Sequence, residues 1–276
     1  MYLGFLEGVK LKNIMGKAIF VRQTKRIGSF CLTLILIVTL SVNNCRFMIE
    51  KFPEKQVPMI LDFLKGIAAN NNRPWFLSHR EEYNEVRTLF EAIASQFIAR
   101  LSEIDETVRF LSVKDCTYRF YRDTRFSLDK SPYKRHLGIY VAAKGKKSYH
   151  GGYYLHFEPG HCMFAVGCYC LPTNILKVVR QVIVDNVNEF RCLVENETFK
   201  SVFGNRLTMT PLKVMPAGLP RDFAHPEYVK CKDYLVWTDL EDRMFCQPNW
   251  MDEIISQASL AKPFLDFIND VVDDYI

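Results

Sequence analysis

The chain has 276 residues, 49% of them hydrophobic and 24% charged, which is enough for a sizeable core and excludes a disordered or fibrous protein. The net charge is +5, but residues 1–47 carry seven Lys/Arg against Glu7 alone, so the other 229 residues stand at −1 and lack the broad basic surface of a general nucleic-acid binder. Nine cysteines, an odd number with no CxxC pair, exclude a disulfide scaffold and the common zinc spacings.

Ser29 to Val42 is an apolar run preceded by Lys25 and Arg26. It is short for a spanning helix, which needs roughly 20 residues. Three readings stand: a signal-like h-region, a membrane anchor, or upstream sequence ahead of a true start at Met48. Residues 1–47 are therefore set apart as an extension, with 48–276 as a single domain. Free thiols favour a reducing, cytoplasmic compartment for that domain; export or membrane attachment would follow only from the 29–42 segment.

Val57, Ile60, Leu61, Leu64 and Ile67 recur at helical spacing, and Asn70–Asn72 with Pro74 end that helix. Ser78 and Glu81 read as a capping box opening a long helix to about Glu103, with Tyr83, Val86, Phe90, Ile93, Phe97 and Leu101 on one stripe. The period then changes. Residues 116–126, 136–144, 152–159 and 162–170 alternate and are split by short turns, which predicts an antiparallel meander. Residues 172–186 and 187–197 return to helical spacing. Residues 203–223 are Pro/Gly-punctuated loop, 234–240 a last strand, and 252–275 a closing helix. The order predicts an α+β fold with an antiparallel β-meander sheet packed against N-terminal and C-terminal helices.

The richest chemistry lies in RFYRDTRFSLDKSPYKRH, Arg119 to His136. As a strand, 116–126 would place Arg119, Tyr121, Asp123 and Arg125 on one face and Arg122 on the other. Guanidinium groups offer paired donors to phosphate or carboxylate, and Lys130 and Lys134 follow in a turn stiffened by Pro132. Tyr154 and His156 share a face of the strand at 152–159. His156 is the candidate for proton transfer, and His136 and Tyr154 join the ligand set. Secondary candidates are Asn72, Trp75 and Arg80 in the first interhelical turn, and Asp222, His225, Lys230 and Lys232 near the HPE sequence, where Pro226 also suits a helix start. HCMFAVGCYC (His161 to Cys170) reads as a strand with small core cysteines, and no metal is expected. Walker, GxGxxG, GxSxG and HExxH motifs are absent.

NNNRPWF, HREEY, DCTYRFYRDTRFSLDKSPYKRHLG, GGYYLHFEPG and GLPRDFAHPEYVKCKDY together resemble the domain of unknown function 2461 family of bacterial and fungal proteins, over roughly Ile60 to Tyr275. The resemblance implies one cytoplasmic α+β domain and supplies no activity and no cofactor. From the residues, the first expectation is a small anionic partner, bearing phosphate or carboxylate, held by Arg119, Arg122, Arg125, Lys130 and Lys134. A nucleic-acid partner bound by basic residues between Tyr118, Phe120, Tyr121 and Phe126 is the second. The third is a structural or partner-binding protein whose arginines form internal salt bridges.

Overall fold

A computed structural model describes residues 53–275. The apolar 29–42 segment and the Met48 start lie outside them. Helix α1 (Pro53–Ala69) buries Val57, Ile60, Leu61, Leu64 and Ile67, the stripe expected from its spacing. A short α2 (Arg73–Ser78) and the long α3 (Arg80–Leu101) follow. The capping box expected at Ser78–Glu81 does not form. Ser78 ends α2, and its hydroxyl donates to the Trp75 carbonyl at 2.8 Å. α3 instead starts after His79, whose carbonyl accepts from the Tyr83 amide. The reason lies upstream: Asn72 accepts from the Trp75 amide at 3.0 Å and Pro74 fits the first turn, so the capped helical start belongs to α2.

The predicted strand at 116–126 is also absent. Val113–Cys116 forms a helical turn, α4, and 117–136 is a long loop with single bridges Thr117↔Ile139 and Tyr121↔Tyr133. Its alternation has another cause. Phe120 and Tyr133 dip into the core and stack with Phe76, at 6.1 and 4.3 Å between ring centroids, while Asp123, Arg125, Asp129 and Lys130 between them are exposed. Asn71 moors this loop from a distance: its amide donates to the Tyr133 carbonyl at 2.9 Å and accepts from the Tyr133 amide at 3.0 Å. Asn71→Ala removes both partners of a half-buried peptide, so a loss of about 1–3 kcal/mol is expected. The Tyr133 amide should exchange with solvent faster; unchanged exchange would show that Asn71 is not the mooring.

The sheet is the expected meander. Strands β1 (Leu137–Ala142), β2 (Gly152–Phe157), β3 (Cys162–Cys168) and β4 (Tyr234–Leu240) lie in that order, every pair antiparallel. Between β3 and β4 run α5 (Thr173–Asp185), α6 (Val187–Val194), α7 (Glu197–Phe203) and the turn α8 (Pro226–Val229). The last of these starts at Pro226 as its sequence predicts. The segment 204–225 holds no named strand; Pro211↔Cys231 is an isolated bridge. Helix α9 (Trp250–Tyr275) closes the described chain.

Alternation decides what each sheet face does. Ile139, Val141, Tyr153, Leu155, Phe157, Phe164, Val166 and Val236 are fully buried and point one way. On this side β3 packs against α9 and β2 against α1, and Phe97 of α3 meets Phe164 edge-on. Tyr153 also donates to the buried carboxylate of Asp105 at 3.0 Å, tying the sheet to the turn Glu106–Val108. Cys162 and Cys168 lie inward on β3 as free, buried thiols. The other face, with Tyr140, Tyr154, His156, Met163 and Ala165, carries no covering helix among the described residues and forms the floor of a cavity. No helix among the described residues is long and apolar enough to cross a membrane.

Candidate functional site

The cavity over the open sheet face has a volume of about 670 Å³, within the range of small-molecule sites. One wall comes from the loop before β1, with Tyr118, Lys134 and His136; a second is the β1–β2 connection from Lys146 to His150. Tyr169, Cys170, Leu171 and Met209 complete it.

Its charge is positive at one end. The ammonium groups of Lys134 and Lys146 converge on the ring of Tyr118, at 5.3 and 5.8 Å from its centroid. Lys146 also donates to the Lys114 carbonyl. Among the described residues neither lysine has a carboxylate within ion-pair distance. Burial, with Arg119 nearby, pulls the Lys134 pKa below that of a free lysine, which marks a cation short of compensation.

On the cavity floor, Tyr154 Oη lies 2.7 Å from His156 Nδ1, and His156 Nε2 lies 3.1 Å from Glu158 Oε2. The His136 ring lies against His156, with centroids 4.7 Å apart. Burial lowers the pKa of both imidazoles; that of His136, also repelled by His156 and Lys134, falls to about 4. Both rings are therefore neutral at pH 7. Burial also raises the Tyr140 and Tyr154 hydroxyls far above the ordinary tyrosine range, so they stay protonated donors.

The structure brings together Lys134, His136, Tyr154 and His156 from the expected ligand set, and separates the rest. Arg122 is clasped inside its own loop, donating to Asp129 at 2.6 Å and to the Ser131 hydroxyl and carbonyl at 2.6 and 3.1 Å. Arg125 lies along exposed Asp123, with bonds of 3.0 and 2.6 Å, and Arg119 is 3.8 Å from the same carboxylate. Lys130 donates to the Thr124 carbonyl at 2.9 Å. Arg119 and Tyr121 border a different depression, beside Tyr83 and Arg87.

The secondary candidates scatter. Asn72 caps α2, Trp75 stacks on His79 with centroids 3.9 Å apart, and Arg80 is exposed at the start of α3. His225 stacks on Tyr228 and approaches Glu227 at 3.3 Å rather than Asp222, which is exposed. Lys230 borders a separate depression between α7 and α8, and Lys232 is exposed.

Sequence reasoning missed Tyr140, Glu158, Lys146, Tyr169 and His150 as site residues. Lys146 belongs to KGKK (144–147), one of the short turns between the alternating segments, and Glu158 alternates onto the face of Tyr154 and His156. His150 is buried, its Nε2 2.8 Å from Asp273 Oδ1, and its Nδ1 has no hydrogen-bond partner among the described residues.

A family profile described as conserved hypothetical protein, DUF2461, matches residues 59–267. The chain belongs to that family. No curated protein and no solved structure matches it significantly. The DUF2461 match spans all four strands and every described residue lining the cavity, so these lie within the family domain.

Proposed function

We propose that this DUF2461 protein binds a small molecule that joins a phosphate or carboxylate to an apolar or aromatic body, in the cavity over the open sheet face. The observation that carries this reading is the pair Lys134 and Lys146. Two ammonium groups converge over Tyr118 in the lining of a mostly apolar pocket, with no carboxylate within ion-pair distance of either among the described residues. An anionic headgroup would supply the missing charge, and Tyr118, Tyr140 and Tyr154 offer flat surfaces to the body. The arginines of the 119–125 stretch enter this reading less, because Asp129 holds Arg122 and Asp123 holds Arg125 and lies 3.8 Å from Arg119.

Phenyl phosphate and benzoate are suitable probes in calorimetric titration of the full chain. A hydrogen bond to a charged group is worth about 1.5–3 kcal/mol, so Lys134→Met should weaken phenyl phosphate binding by roughly 10–100-fold. Arg125→Ala should leave it unchanged. Affinity held within twofold in the Lys134→Met, Lys146→Met double variant would overturn the reading.

A further inference from the structure

We propose that His136, His156 and Glu158 form a binding site for one divalent transition cation of the zinc class, at the edge of this cavity. The placement follows from strand register. Leu137 pairs with Phe157 and Gly138 with His156, so His136 comes opposite Glu158. All four residues, His136, Gly138, His156 and Glu158, then share the open face of the sheet. One ligand atom from each of the two histidines and the glutamate lies within 4.8 Å of the others, and His156 Nε2 and Glu158 Oε2 are already 3.1 Å apart.

A zinc-sized ion with bonds of about 2.1 Å holds neighbouring ligand atoms roughly 3.0–3.4 Å apart. Closing the trio therefore needs movement of about an ångström at His136. That ring is free to make it: His136 hydrogen-bonds to no described residue and touches His156 only by ring contact.

The surroundings match what a metal-ligating histidine requires. Such a ring is oriented through its second nitrogen, and Tyr154 Oη stands 2.7 Å from His156 Nδ1. Tyr154 reaches that position because residue 138 is glycine. A Cβ there would sit 2.7 Å from Tyr154 Oη and 2.8 Å from its ring. The ion-free arrangement has Nε2–H facing Glu158. On metal binding that proton moves to Nδ1, and the Tyr154 hydroxyl, which keeps its own proton, rotates to accept from Nδ1–H, leaving the Nε2 lone pair for the ion; no proton is lost from the ring.

The donor set selects the ion. Two imidazoles and one carboxylate suit zinc and its first-row neighbours, whereas magnesium and calcium prefer oxygen ligands. Three protein ligands leave a coordination position open, and both histidines line the cavity. The cation site stands independently of the anion reading, and the two are measured separately.

The test is titration of the full chain, stripped with a chelator, with Co²⁺ and then Zn²⁺, followed by calorimetry and by the visible absorption of bound cobalt. One equivalent of Co²⁺ should bind with a d–d spectrum free of thiolate charge transfer, and Zn²⁺ should displace it. Glu158→Gln, nearly isosteric, and His136→Ala, at a half-buried position, should each weaken binding at least tenfold with melting curves still cooperative. Tyr154→Phe should weaken it roughly tenfold through loss of ring orientation. Absence of micromolar Co²⁺ or Zn²⁺ binding, or equal affinity in both Glu158→Gln and His136→Ala, would overturn the site. Thiolate charge transfer that vanishes in Cys170→Ser would do the same by placing the ion on an exposed cysteine. Phenyl phosphate titrated into the metal-free protein reports on the anion reading alone, so either proposal can fail without the other.

Discussion

Gly167→Ala is expected to cost roughly 3–6 kcal/mol, enough to leave much of the chain unfolded at 37 °C. Two effects add. Gly167 has φ +138°, a conformation that side-chain-bearing residues rarely adopt. A Cβ at this position would also lie 2.2 Å from the Tyr234 carbonyl oxygen and 2.6 Å from Leu235 Cα. Both are backbone atoms of the neighbouring strand, so no side chain can swing aside. The same chain holds two controls. Ala165 sits on the same face of β3, two residues earlier, and its Cβ fits between Tyr154 and Trp237. Gly204 has φ +68° with nothing within 4 Å of where a Cβ would stand, so Gly204→Ala should cost only about 1–2 kcal/mol, the backbone part alone. Denaturant melts of the two variants separate the effects: equal losses at 167 and 204 would show that β4 moves away without resistance.

The sheet was legible because its connections are short and its faces differ. Tyr153, Leu155 and Phe157 against Tyr154, His156 and Glu158 is an alternation that survives into the structure residue by residue. The same rule misled at 116–126, where a loop that dips twice into an aromatic cluster imitates a strand. Side-chain clasps such as Arg122 with Asp129 and Ser131 take the place of a ladder there. Compensation was legible only as one of three expectations, the internal arginine salt bridges. Asp123 and Asp129 lie within a few residues of the arginines and pair with them locally, whereas Lys134, legible in the same stretch, and Lys146, in a separate turn, have no carboxylate within ion-pair distance among the described residues. The cavity floor could be read from β2; its walls could not, because they come from loops at 118–136, 146–150 and 169–171 that meet only when the meander closes. The histidine–glutamate cluster needed the β1–β2 register, which periodicity alone does not give.

Phe157→Ala is the substitution in which core and site meet. Phe157 is fully buried between His156 and Glu158, and its ring meets Phe90 of α3 at 6.3 Å and Phe245 at 5.4 Å, both edge-on. Truncating a buried phenylalanine costs about 3–5 kcal/mol, part for lost burial and part for the cavity left behind. For a protein of this size, at about 2 °C per kcal/mol, that corresponds to a fall in Tm of roughly 6–10 °C. The consequence reaches the opposite face of the strand. Phe157 is the inward anchor between two outward residues, so its loss frees the peptide units that set the spacing of His156 and Glu158. Amide exchange at residues 156–158 should therefore accelerate more than the global loss of stability requires. Phe157→Leu, which keeps most of the volume, should restore most of the Tm and slow that local exchange. If Phe157→Ala lowered Tm without any local acceleration, the anchoring of the cluster would rest on the β1–β2 ladder rather than on the core beneath it.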